Sequence, residues 1–249
     1  MTRLELQLHK KIGELASKLD EKNHLSLTWI SIEKNNKRGE PQLYQFIPLC
    51  DIGDGYSLLN LMTKEALPLE EKQALFRYIA TTFLRTICKL NAVHAYHRDI
   101  KPSNTLFSTN TEPKLADLGS AVIYSNEQSE PIMASNMSDM SYIPPYNLIY
   151  QYMSKQNRKN TITSSQNQTS LNEKLMRNAD HDSWALALTL LQLWDNETAD
   201  FIKKTFLEYG RKYHHIIENS SPDDLVTLYQ NAFNKLILLP SMQLMQADI

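Results

Sequence analysis

Glycine is scarce in this chain: there are six in 249 residues, and only Gly53 and Gly55 stand close together. A G-x-G-x-x-G loop, whose backbone amides would fold over a phosphate, is therefore absent from the sequence. Cysteine is scarcer still. Cys50 and Cys88 make neither a metal-ligand spacing nor a disulfide framework, which points to a reducing compartment. No run of about 18 apolar residues is present to cross a bilayer, and the first residues lack the apolar stretch of a secretory leader. The expectation is a cytoplasmic protein without a transmembrane segment. Charge of one sign is lacking too: 26 Lys and Arg against 28 Asp and Glu leave a net charge of −2. That gives no support to a general nucleic-acid binder or a polybasic membrane binder. The length is enough for a substantial core, as one large domain or two small lobes.

What is present is concentrated in one stretch. Residues 97–104 read His97-Arg98-Asp99-Ile100-Lys101-Pro102-Ser103-Asn104, and Asp117-Leu118-Gly119 follows further on. Between them lie two short apolar runs, Thr105-Leu106-Phe107 and Lys114-Leu115-Ala116, separated by a turn from Ser108 to Pro113. The pattern predicts loop, strand, turn, strand and then a carboxylate. A lone His-Arg-Asp is an ordinary surface tripeptide; this ordered context is not. Together the two stretches resemble the catalytic loop and metal-binding loop of a protein kinase, H-R-D-x-K-x-x-N followed by a D-F-G variant. The resemblance implies phosphoryl transfer, which needs in-line positioning and neutralised phosphate charge. It makes Asp99 the carboxylate that meets the substrate hydroxyl and Lys101 the cation that meets the γ-phosphate. Asn104 and Asp117 become oxygen ligands for Mg²⁺ or Mn²⁺, with ATP as the phosphoryl donor. Lys two residues after the Asp marks Ser/Thr protein kinases rather than Tyr kinases. Small-molecule kinases share an H-x-D frame but rarely R-D-x-K.

The rest of the chain falls into order around that stretch. Leu4, Leu8, Ile12, Leu15 and Leu19 recur at helical steps, predicting an amphipathic helix over 2–21 with Glu14 beside the stripe. A strand over 24–34, a turn over 35–40 and a second strand over 43–49 follow. This is the order of the C-helix and β-hairpin of a kinase small lobe, and Glu14 is then the candidate C-helix glutamate. Residues 50–56 resemble a kinase hinge with one residue inserted, so Leu49, Cys50, Asp51 and Ile52 are expected to face the nucleotide. Pro68 opens a long helix, with Glu70 and Glu71 at its positive end and Leu75, Ile79, Phe83, Ile87 and Leu90 on one face.

Asp117 to Tyr146 would be the activation segment. Its end, Tyr142-Ile143-Pro144-Pro145-Tyr146, resembles the A-P-E region with Tyr146 in place of the glutamate that normally anchors it. Residues 154–174 are polar and aperiodic, a flexible insertion. Asp182-Ser183-Trp184 matches the start of the kinase F-helix, with Asp182 capping that helix and holding the His97-Arg98-Asp99 backbone. The helix, apolar on nearly every side to Trp194, should be buried all round. Ser221-Pro222-Asp223-Asp224 starts a last helix that ends before Pro240.

These readings converge on an α+β, protein-kinase-like fold. A reduced N-lobe spans 1–49, a hinge 50–56, and a mostly helical C-lobe 57–249, abbreviated after the F-helix. No β3 lysine stands in place. Lys34 superficially fits V-A-I-K, but too few residues separate it from the hinge. With Met1 at the start, the expectation is a naturally reduced kinase. It resembles the remnant kinases among Legionella-type bacterial effectors, which would act in the host cytosol; the Asn-, Gln-, Lys- and Ser-rich composition suits an AT-rich bacterial genome.

The function implied is an ATP-dependent Ser/Thr kinase acting on a protein substrate. The alternatives are a pseudokinase interaction module, favoured by the missing glycine loop and lysine, and a kinase-fold transferase of another group such as AMP. Arg98 calls for an anionic partner. Lys203, Lys204, Arg211 and Lys212 form a candidate anion site, for a phosphorylated segment, an inositol phosphate or a phosphoinositide headgroup. The blander reading of that basic cluster is a solvated helix face.

Overall fold

The computed structural model describes residues 7, 11, 12, 14, 30–35, 38, 41–47, 49–109, 113–124, 131–134, 140–144 and 171–212. Of the predicted first helix, Gln7, Lys11, Ile12 and Glu14 are helical, and Ile12 is buried while Lys11 and Glu14 are exposed, as an amphipathic stripe requires. Strand β1 (Ile30–Asn35) pairs antiparallel with β2 (Pro41–Phe46), with Ile32 opposite Tyr44 and Lys34 opposite Gln42. Lys34 is exposed near the turn of this hairpin.

Two longer helices build the core. The short strand β3 (Gly53–Asp54) leads into α1 (Gly55–Lys64), capped by Asp54, whose side chain accepts from the Ser57 amide at 2.9 Å. Helix α2 (Leu69–Ala92) begins after Pro68 as predicted, with Glu70 and Glu71 in its first turn and Lys89 in its last. Ile79, Phe83, Ile87 and Leu90 are buried on one face, joined by Thr82 and Thr86. Each such apolar side chain contributes roughly 2 kcal/mol by leaving water.

Strands β5 (Thr105–Phe107) and β6 (Lys114–Leu115) form the predicted hairpin, and β3 adds to the other edge of β5. Phe107 meets Phe83 edge-on at 6.1 Å, which fixes this sheet to α2. A second sheet pairs β4 (Ala95–Tyr96) with β7 (Val122–Tyr124), and β7 with β8 (Pro131–Ala134). The stretch before the His-Arg-Asp loop is thereby tied to the stretch after Asp117.

Helix α3 (Leu171–Trp194) corrects two expectations. It starts at Leu171, so the last four residues of the supposed insertion are helical, and Asp182 lies within the helix rather than capping it. Nor is it buried all round: Ser183 and Ala187, one turn apart, are exposed. Its C-terminal end is closed by Lys72 of α2, whose ammonium donates to the Trp194 carbonyl at 3.0 Å and lies 4.8 Å from the centre of the Trp194 ring.

The chain divides into two units. Residues 1–143 and 168–194 form one, which holds every element above; residues 144–167 and 195–249 form the other. The second unit contains α4 (Asn196–Lys212), capped by Asp195, whose carboxylate accepts from the Thr198 amide at 3.1 Å. Tyr146, the polar stretch 154–170 and the predicted helix from Ser221 lie outside the described residues. No described helix is long and apolar enough to cross a membrane.

Candidate active site

The loop from His97 to Asn104 is held from three sides by buried polar contacts. Asp182, fully buried on α3, accepts from the amides of His97 and Arg98, both at 2.7 Å. Burial pushes its carboxyl up to about 7, against the two amides and the nearby Arg98 guanidinium, which favour the ionised form. These two bonds hold Arg98 in a left-handed conformation, φ 65°, that a non-glycine side chain rarely adopts. The His97 ring, also fully buried, bridges loop and segment. Nε2 donates to the Ala116 carbonyl at 2.9 Å, and Nδ1 accepts from the Asp99 amide at 3.3 Å. A carbonyl on one side and an N–H on the other dictate the Nε2-protonated tautomer.

Asp99, Lys101 and Asn104 come together in the same turn. Asp99 Oδ2 lies 3.0 Å from the Lys101 ammonium and accepts from Asn104 Nδ2 at 2.8 Å. The same Asn104 amide also donates to the Asp99 carbonyl at 2.8 Å. Because the nitrogen is spent on Asp99, the oxygen Oδ1 of Asn104 points elsewhere and accepts no hydrogen bond within the described residues. The Asn104 backbone carbonyl accepts from the Ala116 amide at 2.8 Å, which delivers the next residue, Asp117, to the loop. Asp117 is left-handed, φ 62°, and its Oδ1 accepts from the Gly119 amide at 3.1 Å. Its Oδ2 makes no hydrogen bond or ion pair among the described residues.

Gly55 shows how closely α1 packs on this turn. A Cβ there would lie 2.8 Å from both the Pro102 carbonyl oxygen and Thr105 Oγ1. This is a reason for glycine that the hinge resemblance did not supply.

The remaining predicted residues separate. Asp51 is tied to the β5–β6 turn: it accepts from the Thr109 amide at 2.9 Å and the Thr109 hydroxyl at 2.5 Å. Hydrogen bonds from Ser108 and Thr109 hold its carboxyl well below the usual carboxylate range. The Ile52 amide donates to the Phe107 carbonyl at 3.2 Å, so 51–52 run along the β5 strand that leaves the loop. Cys50 is half-buried, and burial pushes its thiol up. Leu49 is 86% exposed. Glu14 and Lys11 pair with one another at 3.7 Å on the helix surface.

Of the candidate anion cluster, the structure describes the side chains of Lys203 and Lys204. The Lys203 ammonium lies 2.8 Å from Asp200, one turn back on its own helix, so it is committed to an acid. Lys204 is exposed; the side chains of Arg211 and Lys212 lie outside the described residues. Arg98 is half-buried, and burial pulls its pKa down against Tyr124 and Asp182, which favour the cation. Its guanidinium makes no hydrogen bond or ion pair among the described residues.

Two residues of the site were not legible in advance. His181, beside Asp182, is buried and held neutral: burial, then Arg98, depress it to about 4, with Asp99 opposing. Tyr124 reaches Asn178 of α3, which donates to its hydroxyl at 3.2 Å. No spacing rule links either residue to the loop; only packing does.

A polar loop fixed by a buried aspartate, a carboxylate–lysine–asparagine group and an adjacent aspartate on a 3₁₀ turn are thus brought into one region of the fold. The family model for the protein kinase domain matches residues 9–205, and the chain belongs to that family. Among curated proteins it is similar to a probable serine/threonine-protein kinase, glkA, of Dictyostelium discoideum, 32% identical over 110 residues, covering 44% of this chain and 19% of that one. A putative cyclin-dependent serine/threonine-protein kinase of the same organism is 43% identical over 58 residues, 23% of this chain and 8% of the relative. Misshapen-like kinase 1 of Rattus norvegicus is 29% identical over 115 residues, 46% and 8% respectively. The chain thus matches less than a fifth of the length of each of these relatives.

Proposed function

We propose that this chain is an active Ser/Thr protein kinase that moves the γ-phosphate of ATP to a protein hydroxyl. The observation that carries the reading is the Asp99–Lys101–Asn104 group with Asp117 delivered beside it. The donor set fits a divalent metal: Asn104 Oδ1 and Asp117 Oδ2 are hard oxygen atoms without partners among the described residues. Those two residues would hold Mg²⁺ or Mn²⁺, which neutralises phosphate charge when bound. Asp99 orients the incoming hydroxyl and takes its proton. The hydroxyl oxygen bonds to the γ-phosphorus as the bond from that phosphorus to the β,γ-bridging oxygen breaks and ADP leaves. Lys101, held beside Asp99, presents a cation to the moving phosphoryl group. Residues 49–52, of which Asp51 and Ile52 are tied to β5 and the turn after it, would line the nucleotide base.

Regulation follows from Arg98. A half-buried guanidinium without a hydrogen-bonded partner among the described residues is a place for an anion, and a phosphorylated activation segment is the source closest in sequence. A polyanion held by Lys203, Lys204, Arg211 and Lys212 draws less support, because Lys203 is already paired.

The missing glycine loop favours a pseudokinase, and the intact Asp99 and metal-ligand set favours activity. Incubation with γ- and with α-labelled ATP, Mg²⁺ or Mn²⁺ and myelin basic protein separates the readings, with Asp117→Ala as control. Label from γ-ATP alone is expected. Label from α-ATP would instead mark a nucleotidyl transferase, and none from either would mark a pseudokinase.

A further inference from the structure

Helix α2 turns opposite faces to the core and to solvent. Ile79, Phe83, Ile87 and Leu90 are buried on one side. On the other, Arg77, Tyr78, Thr81, Leu84, Arg85 and Cys88 are all exposed. At 3.6 residues per turn these positions fall within about one third of the helix circumference.

Two of them are large and apolar: Tyr78 is 47% exposed and Leu84 53%. Single exposed apolar side chains are ordinary. These two share a face with two cations, and the layout sets them apart. Arg77 and Leu84 lie in one row along the helix, and Tyr78 and Arg85 lie in the next. Cation and apolar side chain therefore alternate both along and across the face. The two arginine positions are roughly 12 Å apart along the axis.

No carboxylate of this helix answers those cations. From Lys72 to Arg98 the chain has no Asp or Glu, although it has 28 in all. The positions three and four residues from Arg77 and Arg85, where a helical ion pair would form, are therefore never acidic. Neither guanidinium makes a hydrogen bond or ion pair among the described residues. A membrane surface calls for a different layout. Helices that lie in a bilayer interface gather their apolar side chains into one strip and set their cations beside it. Here each apolar side chain has an arginine next to it, so neither enters lipid without drawing a guanidinium along.

We propose that this face of α2 is a docking surface for a protein partner that presents an acidic, apolar helix. Carboxylates two turns apart on the partner meet Arg77 and Arg85, and an apolar side chain between them covers Tyr78 and Leu84. Arginine and tyrosine are among the side chains that most often carry binding energy at protein interfaces, since each joins a flat apolar body to a polar end. The face contains none of the residues given to the catalytic site, so the proposal stands apart from the kinase reading.

The probe is a fluorescein-labelled synthetic peptide of about 18 residues, built on Ala with Glu two turns apart and Leu between, long enough to form a helix. By fluorescence anisotropy wild type should bind it with a dissociation constant on the order of 50 μM. Arg77→Glu/Arg85→Glu should weaken binding about tenfold or more, and Leu84→Ser about threefold. A peptide with Lys in place of Glu should prefer the charge-reversed variant to wild type. Melting temperatures should hold within about 2 °C, because these are surface positions; Arg77→Gln/Arg85→Gln replaces the reversal if they do not. Failure of wild type to bind the acidic peptide at about 1 mM would overturn the proposal. Equal binding by wild type and the charge-reversed variant would do the same, as would equal binding of a peptide of the same composition in scrambled order. Binding to phosphatidylserine-containing vesicles and not to the peptide would give the face to a lipid surface instead. Self-association that the same variants abolish would give it to a second copy of this chain.

Discussion

The catalytic loop and the hairpin β1–β2 lie in the same unit and are held in opposite ways. In the loop, Asp182, His97 and Asn104 make six side-chain hydrogen bonds of 3.3 Å or less to the stretches 97–99 and 116. In the hairpin a backbone ladder joins the two strands, and Tyr44 and Phe46 are 46% and 52% exposed. A backbone ladder sets strand register but leaves the two-stranded unit marginal by itself. Buried polar contacts set positions to a fraction of an ångström, because each broken one leaves a desolvated group. In the proposed kinase reading, that fixity would hold the reacting atoms in place. This sequence carries no G-x-G-x-x-G loop, and in that reading nucleotide binding should lean on the metal ligands.

The sharpest way to break this comparison is to remove its centre. Asp99→Ala should lower phosphate transfer by about a thousandfold or more and leave nucleotide binding intact. Asp117→Ala should remove transfer and metal-dependent nucleotide binding together. Near wild-type phosphorylation by either variant would sink the assignment, and calorimetric titration of ATP with and without Mg²⁺ separates the two roles.

The next largest effect is on folding. Asp182→Ala strands two buried amides and frees the left-handed Arg98, so it should cost about 3 kcal/mol, read by denaturant unfolding. A loss under about 1 kcal/mol would show that the loop is held by something other than Asp182.

His181 sharpens the picture through pH. Its folded pKa of about 4 lies below the ordinary 6.5. Between those values the unfolded chain binds a proton that the native chain refuses, so stability falls as pH drops from 6.5 towards 4. The difference amounts to roughly 3 kcal/mol at most. Asp182, raised to about 7, works the other way: its burial disfavours the native state progressively as pH rises from about 4 to 7. His181→Gln removes the first term alone. Its unfolding free energy should therefore fall less than that of wild type on acidification, and parallel pH profiles would refute the buried neutral histidine.

The smallest effect is expected in the first helix. Lys11→Ala and Glu14→Ala break an exposed pair and should change stability by less than about 0.5 kcal/mol. If either residue serves the nucleotide, ATP affinity will fall while the melting temperature holds; if neither number moves, the pair is a solvated surface contact.

Much of the site could be read from the chain alone. The loop, the two strands after it, the carboxylate at 117 and the long helix after Pro68 all follow from local spacing and from residue types with narrow chemical uses. Local rules reach only as far as neighbours along the chain. They placed Asp182 near the loop by resemblance but mistook its position for a cap, because nothing in its own neighbourhood shows that the helix begins at Leu171. They grouped Lys203 in a candidate anion site without showing that Asp200, one turn away, pairs with it. They could not pair Tyr142 with Gln192 or neutralise His181.

The sequence by itself determined which groups are available for phosphoryl transfer and in what order they arrive. Tertiary structure alone decided which of them are buried, which partners they meet and so which charges they keep. Desolvation and long-range hydrogen bonds depend on the packing of segments far apart in the chain, and no local pattern encodes them.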